Sequence, residues 1–349
     1  MRYRAIAALA GGAALLAATA PAAAQDEPIH LKIATYVSGQ HGMSKWIDDW
    51  ADDLTEQSGG RLTFEILHGS QMGPPPRYYD IARNAQADIT WILHGATPGR
   101  FELTEISGLP FLFCSAEQAT QVLNHERLRS QYLDDEHRDV KVLMLFMHPP
   151  GQINTKGEPI LTVADMKGKA IRPPSASVGE FLAALGANPV GMPPTALAEG
   201  LQKNTIDGAM IDHGGAGIAF QLGPHLDHST EVDAYTTSFG LVMNEDSFDS
   251  LPQDLRDLLI GSLDGEAGEV GALWDDIDDA GKKVLAEHEV EFHQMSEEEF
   301  AELKEIGSGV ADAYIRRLDA AGKPGSEVYA MMRELVEEVG PVGCDDTNS

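Results

Sequence analysis

The chain has 349 residues, 43% of them hydrophobic, and carries 55 acidic against 25 basic side chains, a formal net charge of −30. So acidic a surface repels nucleic acid and anionic membranes, and neither is expected as a partner. It fits adaptation to concentrated salt, where excess surface carboxylate keeps a protein soluble.

Residues 1–25 read as a secretory signal peptide. Arg2 and Arg4 form the positive end, Ile6 to Ala20 is apolar and Ala-rich, and Ala22-Ala23-Ala24 supplies a small-residue cleavage site. Removing the two arginines takes the charge from −30 to −32. No cysteine sits at the cleavage site, and no later stretch is apolar enough to span a bilayer. The mature chain is therefore expected free in the periplasm, as a monomer, and its roughly 325 residues suffice for two domains.

Leu31 to Val37 alternates apolar and polar residues and predicts a first strand. A helix follows, with Trp46, Ile47, Trp50 and Leu54 on one face, then a strand over Arg61 to Leu67. Met72-Gly-Pro-Pro-Pro leads to a helix near Tyr78 to Asn84 and a strand over Ile89 to Leu93. Pro98 to Pro110 reads as a loop and Ser115 to Leu133 as one helix, and Val140 to Met147 is an apolar strand. The break at His148-Pro-Pro-Gly-Gln152 marks a crossover into a second lobe.

The stretch Asp165 to Asp212 is the most informative. A strand ends at Arg172, and a helix from Gly179 closes on Gly186. A short strand covers Pro189 to Met192, a helix spans Leu197 to about Ile206, and a last strand ends at Asp212. Two charged side chains thus stand at the carboxyl ends of strands, where open α/β sheets bind ligands. Met72-Gly-Pro-Pro-Pro…Asp88 and Met192-Pro-Pro…Asp207 echo one another, as if two lobes shared a plan. Asp88 and Asp207 read as turn caps.

Ala219 to Thr230 begins helical and ends as loop, and Ser238 to Asn244 is a strand that carries the chain back. Pro252 to Glu287 is one very long helix, or two with a bend near Gly261 to Gly271. A short strand at Glu291 to Gln294 precedes two helices ending near Glu338. Cys114 is expected buried and free: the compartment permits a disulfide, but spacing does not show that it meets Cys344.

The blocks Asp165-Met-Lys-Gly…Ile171-Arg-Pro-Pro, Leu185-Gly-Ala-Asn-Pro…Met192-Pro and Leu201-Gln…Ile206-Asp-Gly resemble, in order and distance, the signature of solute-binding proteins of tripartite ATP-independent periplasmic (TRAP) transporters, the DctP-like family. The likeness extends from about Ile29 to Leu335. It implies a two-lobed α/β fold with a hinge and a long helix bridging both lobes. The first lobe is expected over 26–149 plus 238–277 and the second over 150–237 plus 278–340, with a disordered tail at 341–349. It also implies a small organic-acid ligand, TRAP membrane subunits as partners, and neither cofactor nor catalysis.

The family's carboxylate-binding arginine falls on Arg172, whose planar fork matches a carboxylate with two hydrogen bonds. Gln152 either contacts ligand or ties down its loop. Asp212 either accepts from the ligand or caps the Gly214-Gly215 turn. The metal-assisted members carry Glu near the position of Met210, which cannot hold a cation, so no metal is expected. Tyr36, His41, Trp91, His94, His148 and Phe239 lie at strand ends and together suggest an aromatic pocket. His125, His137 and His288 sit in polar stretches and read as solvated.

One arginine fork in such a pocket points to a monocarboxylate with an apolar or aromatic body. The competing readings are a binding protein for another importer or receptor, and a periplasmic enzyme on the same fold. Against the enzyme, no G-x-S-x-G, H-E-x-x-H or phosphate-loop motif occurs in a credible context.

Overall fold

The computed structural model describes residues 27–344. The predicted signal peptide therefore lies outside the described residues. Two sheets form the frame. The first contains β1 (Ile29–Ala34), β2 (Leu62–Leu67), β3 (Ile89–Leu93), β4 (Lys141–Met147) and β10 (Ser238–Met243), in the order β2-β1-β3-β10-β4. The second contains β5 (Gln152–Thr155), β6 (Ala170–Arg172), β7 (Asn188–Pro189), β8 (Gly208–Ile211), β9 (His228–Glu231) and β11 (Glu291–Gln294), in the order β11-β9-β5-β8-β6-β7.

Each sheet receives one strand from the neighbouring crossover, and that strand runs antiparallel to both of its neighbours: β10 between β3 and β4, β5 between β8 and β9. The crossovers 148–151 and 232–237 lie side by side. Gly151 N–H donates to the Tyr235 carbonyl (2.7 Å), and Ala234 N–H to the Gly151 carbonyl (3.1 Å).

In the first sheet β3 and the edge strand β4 are buried along nearly their whole length, which is why both read as continuous apolar runs. In the second sheet the period of two is visible in β8. Met210 joins one core with Ile153, Ile171 and Phe181, while Ala209 and Ile211 join the other with Leu197 and Leu201.

The echoed aspartates do the same work in both lobes. Asp88 accepts from Lys32 N–H of β1 (2.7 Å), and Asp207 from Ala170 N–H of β6 (2.8 Å). Each carboxylate satisfies a backbone donor of the neighbouring parallel strand, which fixes register. Gly208 follows because a Cβ there would lie 2.3 Å from the Asn154 carbonyl oxygen of β5.

The segment 252–287 is two helices, Gln253–Gly261 and Ala267–Glu287. The long one touches both lobes at glycines. A Cβ on Gly271 would lie 2.5 Å from Glu117 Cα in the first lobe, and one on Gly281 would lie 2.3 Å from the His213 carbonyl oxygen in the second. No helix among the described residues is long and apolar enough to cross a membrane.

Several expectations need correction. The segment expected to end as loop near Thr230 is the strand β9: its short, polar sequence carries no apolar alternation, and burial against neighbours decides it. The helix expected over 115–133 stops at Asn124, because His125 is extended (ψ 129°), and resumes in shorter turns. The helix Gly325–Val339, expected in the second lobe, packs Val328, Met332 and Leu335 into the first lobe's core.

Cys114 is bonded to Cys344 rather than free. Ser115 Oγ donates to the Val342 carbonyl (2.6 Å) and Gln118 Nε2 to the Gly340 carbonyl (2.8 Å). These bonds dock residues 340–344 on the start of helix Ala116–Asn124 and bring the two Cα atoms to 5.3 Å, so residues 341–344 are held rather than loose. A sequence separation of 230 hid the pair.

Candidate functional site

A cavity enclosing about 470 Å³ of empty space, its solvent-open edge included, lies between the lobes. Its walls come from four sources. The first lobe supplies Tyr36 after β1, His41 at the start of helix Gly42–Gln57, Trp91 of β3 and Phe239 of β10. The long helix adds Trp274, and the crossovers add His148, Tyr235 and Thr237. The second lobe supplies Arg172 and Asp212, from the ends of the adjacent parallel strands β6 and β8.

The rings interlock. Trp274 stacks on Phe239 with centroids 5.2 Å apart and planes 6° from parallel. Trp91 meets both edge-on, at 5.9 and 5.8 Å. His41 lies 5.2 Å from Trp274, and Tyr36 lies 5.4 Å from Trp91. His148 sits perpendicular to Tyr235 at 5.6 Å. Tyr235 is pressed against the hinge, because a Cβ on Gly151 would lie 2.3 Å from its ring.

Arg172 is 4% exposed. Its Nε donates to the Met192 carbonyl at 3.2 Å, and among the described residues no carboxylate lies within ion-pair distance of its guanidinium. Burial lowers its pKa to about 10, against the favourable pull of Tyr235, Tyr36 and Asp212, so it stays charged at neutral pH. Burial likewise pushes the Tyr36 and Tyr235 phenols well above their ordinary value, and it lowers His41 to about 4. Near pH 7 Tyr36, Tyr235 and His41 are therefore neutral.

Of the two alternatives left open for Asp212, the turn cap is present, and the side chain also borders the cavity. Its Oδ2 accepts from Gly215 N–H (2.8 Å), capping the turn, while the residue lines the cavity with Oδ1 3.9 Å from His148 Nδ1. The turn is clamped from behind, since Asp278 of the long helix accepts from Gly214 N–H (2.7 Å) and lies 3.3 Å from His213 Nδ1.

Buried donors without protein partners gather here. Of nine buried side-chain polar atoms lacking a hydrogen bond among the described residues, four line this cavity: Trp91 Nε1, Trp274 Nε1, Tyr235 OH and Thr237 Oγ1. Such groups are costly to bury unless something else satisfies them. They belong to residues that line the same cavity as the desolvated Arg172 guanidinium, and each is a donor that an oxygen acceptor would satisfy.

The cavity brings together Tyr36, His41, Trp91, His148, Arg172, Asp212 and Phe239 of the residues singled out in the sequence. Gln152 is not in its lining. Its Nε2 donates to the Pro150 carbonyl (3.1 Å) and Asp233 (2.6 Å), and its Oε1 accepts from Val232 N–H (2.7 Å), the bonds of the loop-tying alternative. His94 is buried elsewhere, with Nε2 2.9 Å from Nε2 of His137. His137 is therefore not solvated; burial lowers it to about 4. Met210 lies in the second lobe's core and not in the cavity.

Tyr235, Thr237 and Trp274 were missed. Trp274 falls on the apolar stripe of a helix and reads as core. Tyr235 and Thr237 lie in Ala234-Tyr-Thr-Thr237, which looks like plain loop until the crossovers pair.

The family model described as bacterial extracellular solute-binding protein, family 7, matches residues 33–317. A TRAP solute-binding protein from Rhodoferax ferrireducens T118, in complex with copurified benzoate, is 31% identical; the match covers 89% of this chain and 98% of that one, with a TM-score of 0.84. A marine-metagenome TRAP solute-binding protein specific for aromatic acid ligands, from an unidentified microbe and bound to 3-hydroxybenzoate, is 29% identical over 90% and 99% of the two chains, with a TM-score of 0.85. A TRAP periplasmic protein from Bordetella bronchiseptica with bound (R)- and (S)-mandelate is 25% identical over 90% and 100%, with a TM-score of 0.81.

Proposed function

The chain belongs to the bacterial extracellular solute-binding proteins of family 7, and on that premise we propose that it captures an aromatic monocarboxylate in the periplasm and passes it unchanged to TRAP membrane subunits. The observation that carries the reading is Arg172, buried in a ring-lined cavity with no protein carboxylate in ion-pair distance among the described residues. An unpaired buried charge is strongly unfavourable, and a ligand carboxylate relieves it with two charge-assisted hydrogen bonds. Trp91, Phe239 and Trp274 then offer flat apolar faces to the rest of the ligand. Solved relatives bound to benzoate, 3-hydroxybenzoate and mandelate support the same ligand class.

Capture couples to closure of the lobes. The lobes already touch at Gly95, where a Cβ would lie 2.9 Å from the Pro174 carbonyl oxygen and from Ser175 Cβ. A ligand contacting both lobes favours this arrangement over an open one by its difference in affinity for the two.

The test is a melting-temperature and calorimetric screen of the mature protein with benzoate, 3-hydroxybenzoate, mandelate and galacturonate. A ligand at 100 times its dissociation constant stabilises by about 2.7 kcal/mol, so a binder is easily seen. The aromatic acids should bind and be recovered unchanged by mass spectrometry. Tighter binding of galacturonate, or conversion of the bound acid, would overturn the reading.

A further inference from the structure

Outside the cavity lining, β11 pairs in parallel with β9 at the edge of the second sheet, with Glu291 opposite His228 and His293 opposite Thr230. Residues two apart on a strand share a face, so Glu291 and His293 project on the same side as their partner His228. His228 Nδ1 lies 3.0 Å from His293 Nε2 and 3.8 Å from Glu291 Oε2, and His293 Nε2 lies 3.9 Å from the same carboxylate oxygen. Among the described residues this is the one group of three His, Cys, Asp or Glu side chains whose ligand atoms converge in this way.

Those three separations define a triangle, and the point equidistant from its corners lies about 2.1 Å from each atom, the bond length of Zn²⁺ to imidazole nitrogen and carboxylate oxygen. Moving an ion about half an ångström off that plane, to admit a fourth ligand, lengthens the bonds by less than about 0.1 Å. The histidines are partly buried and the Glu291 side chain is 70% exposed, so the fourth position faces solvent. Two imidazoles and a carboxylate suit zinc and its first-row neighbours, whereas magnesium and calcium prefer all-oxygen sets.

We propose that His228, Glu291 and His293 form a surface site for a divalent transition-metal ion of the zinc class, completed by water. It joins the edge strand β11, which follows the long helix, to β9, which runs directly into the crossover carrying Tyr235 and Thr237. It takes no part in holding the organic acid. Sequence reading could not see it, because the ligands come from segments far apart in the chain and only the pairing of β9 with β11 assembles them.

The test uses tag-free mature protein stripped with a chelator and titrated with ZnCl₂ against a chromophoric competitor, with no organic acid present. One zinc per chain is expected, with a melting temperature that rises with zinc and does not respond to MgCl₂. His293→Ala should weaken zinc binding at least tenfold, and Glu291→Gln severalfold. Glu291 is exposed enough that its variant folds whatever becomes of the histidine variant. Absence of zinc binding to the wild type would overturn the proposal and leave the histidine pair as a plain hydrogen bond. Zinc binding that persists unchanged in both variants would overturn it too, by assigning the ion to other histidines.

Discussion

The two lobes meet the cavity with different chemistry. The first lobe and the long helix bring rings: Tyr36, His41, Trp91, Phe239 and Trp274, all uncharged near neutral pH and each packed against another ring. The second lobe brings charge, Arg172 and Asp212, at the tips of neighbouring strands and held by backbone hydrogen bonds. The contrast separates two tasks. On the proposed function, the guanidinium fork of Arg172 takes the carboxylate common to many acids, and the ring-lined wall takes what the carboxylate is attached to. On that proposal, specificity within the ligand class resides mainly in the first lobe, and affinity for the class in the second.

The largest effect is expected at the fork. Arg172→Lys keeps a charge but loses the two-pronged fit, so it should weaken benzoate binding almost as much as Arg172→Ala. Hydrogen bonds to charged groups contribute about 1.5–3 kcal/mol, which corresponds to roughly ten- to a few-hundredfold by calorimetric titration. The ligand-free melting temperature should change little, since no ion pair within 4 Å is lost and the one hydrogen bond lost is that from Nε to the Met192 carbonyl. A lysine variant that binds like wild type would remove charge recognition from the second lobe and break the contrast.

Next is the hinge. Gly151→Ala puts a Cβ into the Tyr235 ring at 2.3 Å, and overpacking of this kind costs about 1–3 kcal/mol. Melting temperature and benzoate affinity should fall together. An unchanged affinity would make Tyr235 part of the framework alone.

Phe239→Leu is milder. It removes the ring stacked on Trp274, and aromatic pairs are worth about 0.5–1.5 kcal/mol beyond their buried area. Benzoate should bind up to about tenfold more weakly, while a short aliphatic acid such as propionate changes less. Equal losses for both would show that the first lobe does not read the body of the ligand.

The smallest effect on binding is expected at Glu105, outside the cavity, where burial and the charges of Glu136 and Glu102 push the carboxyl up to about 8. Its folded value stands above the unfolded one of about 4.3. Its contribution is therefore complete below the unfolded value and lost as pH rises through about 8. Glu105→Gln should flatten the fall in melting temperature between pH 6 and 9 and leave benzoate affinity unchanged. An altered affinity would tie the first lobe's interior to the site.

What could be read from the sequence follows the same division. Glycines, prolines and apolar runs placed Arg172 and Asp212 at strand ends, but spacing alone left Arg172 as readily a surface ion-pair partner; the family resemblance singled it out. Tyr36, His41, Trp91 and Phe239 were legible as a set of strand-end rings. Trp274 was not, because an apolar stripe looks alike whether it faces a core or a cavity. Gln152 stayed open between two roles because a polar residue after a Pro-Gly break can face either way; its amide binds Asp233 of the second crossover, the loop-tying alternative. His137 misled because its neighbours in sequence are polar, but its neighbours in space are His94 and Phe101. Local pattern fixes elements, and only pairing across the chain decides what a side chain faces.

The bond between Cys114 and Cys344 has a topological consequence. It converts most of the described chain into a covalent ring that contains both crossovers and the second lobe. A protease that cuts once in 148–151 or 232–237 opens the ring without releasing a fragment, and the severed lobes remain one molecule until a reductant is added. On a non-reducing gel such a nicked protein should run as a single species, and on a reducing gel as two. A hinge of this kind can be mobile and still survive a single cut.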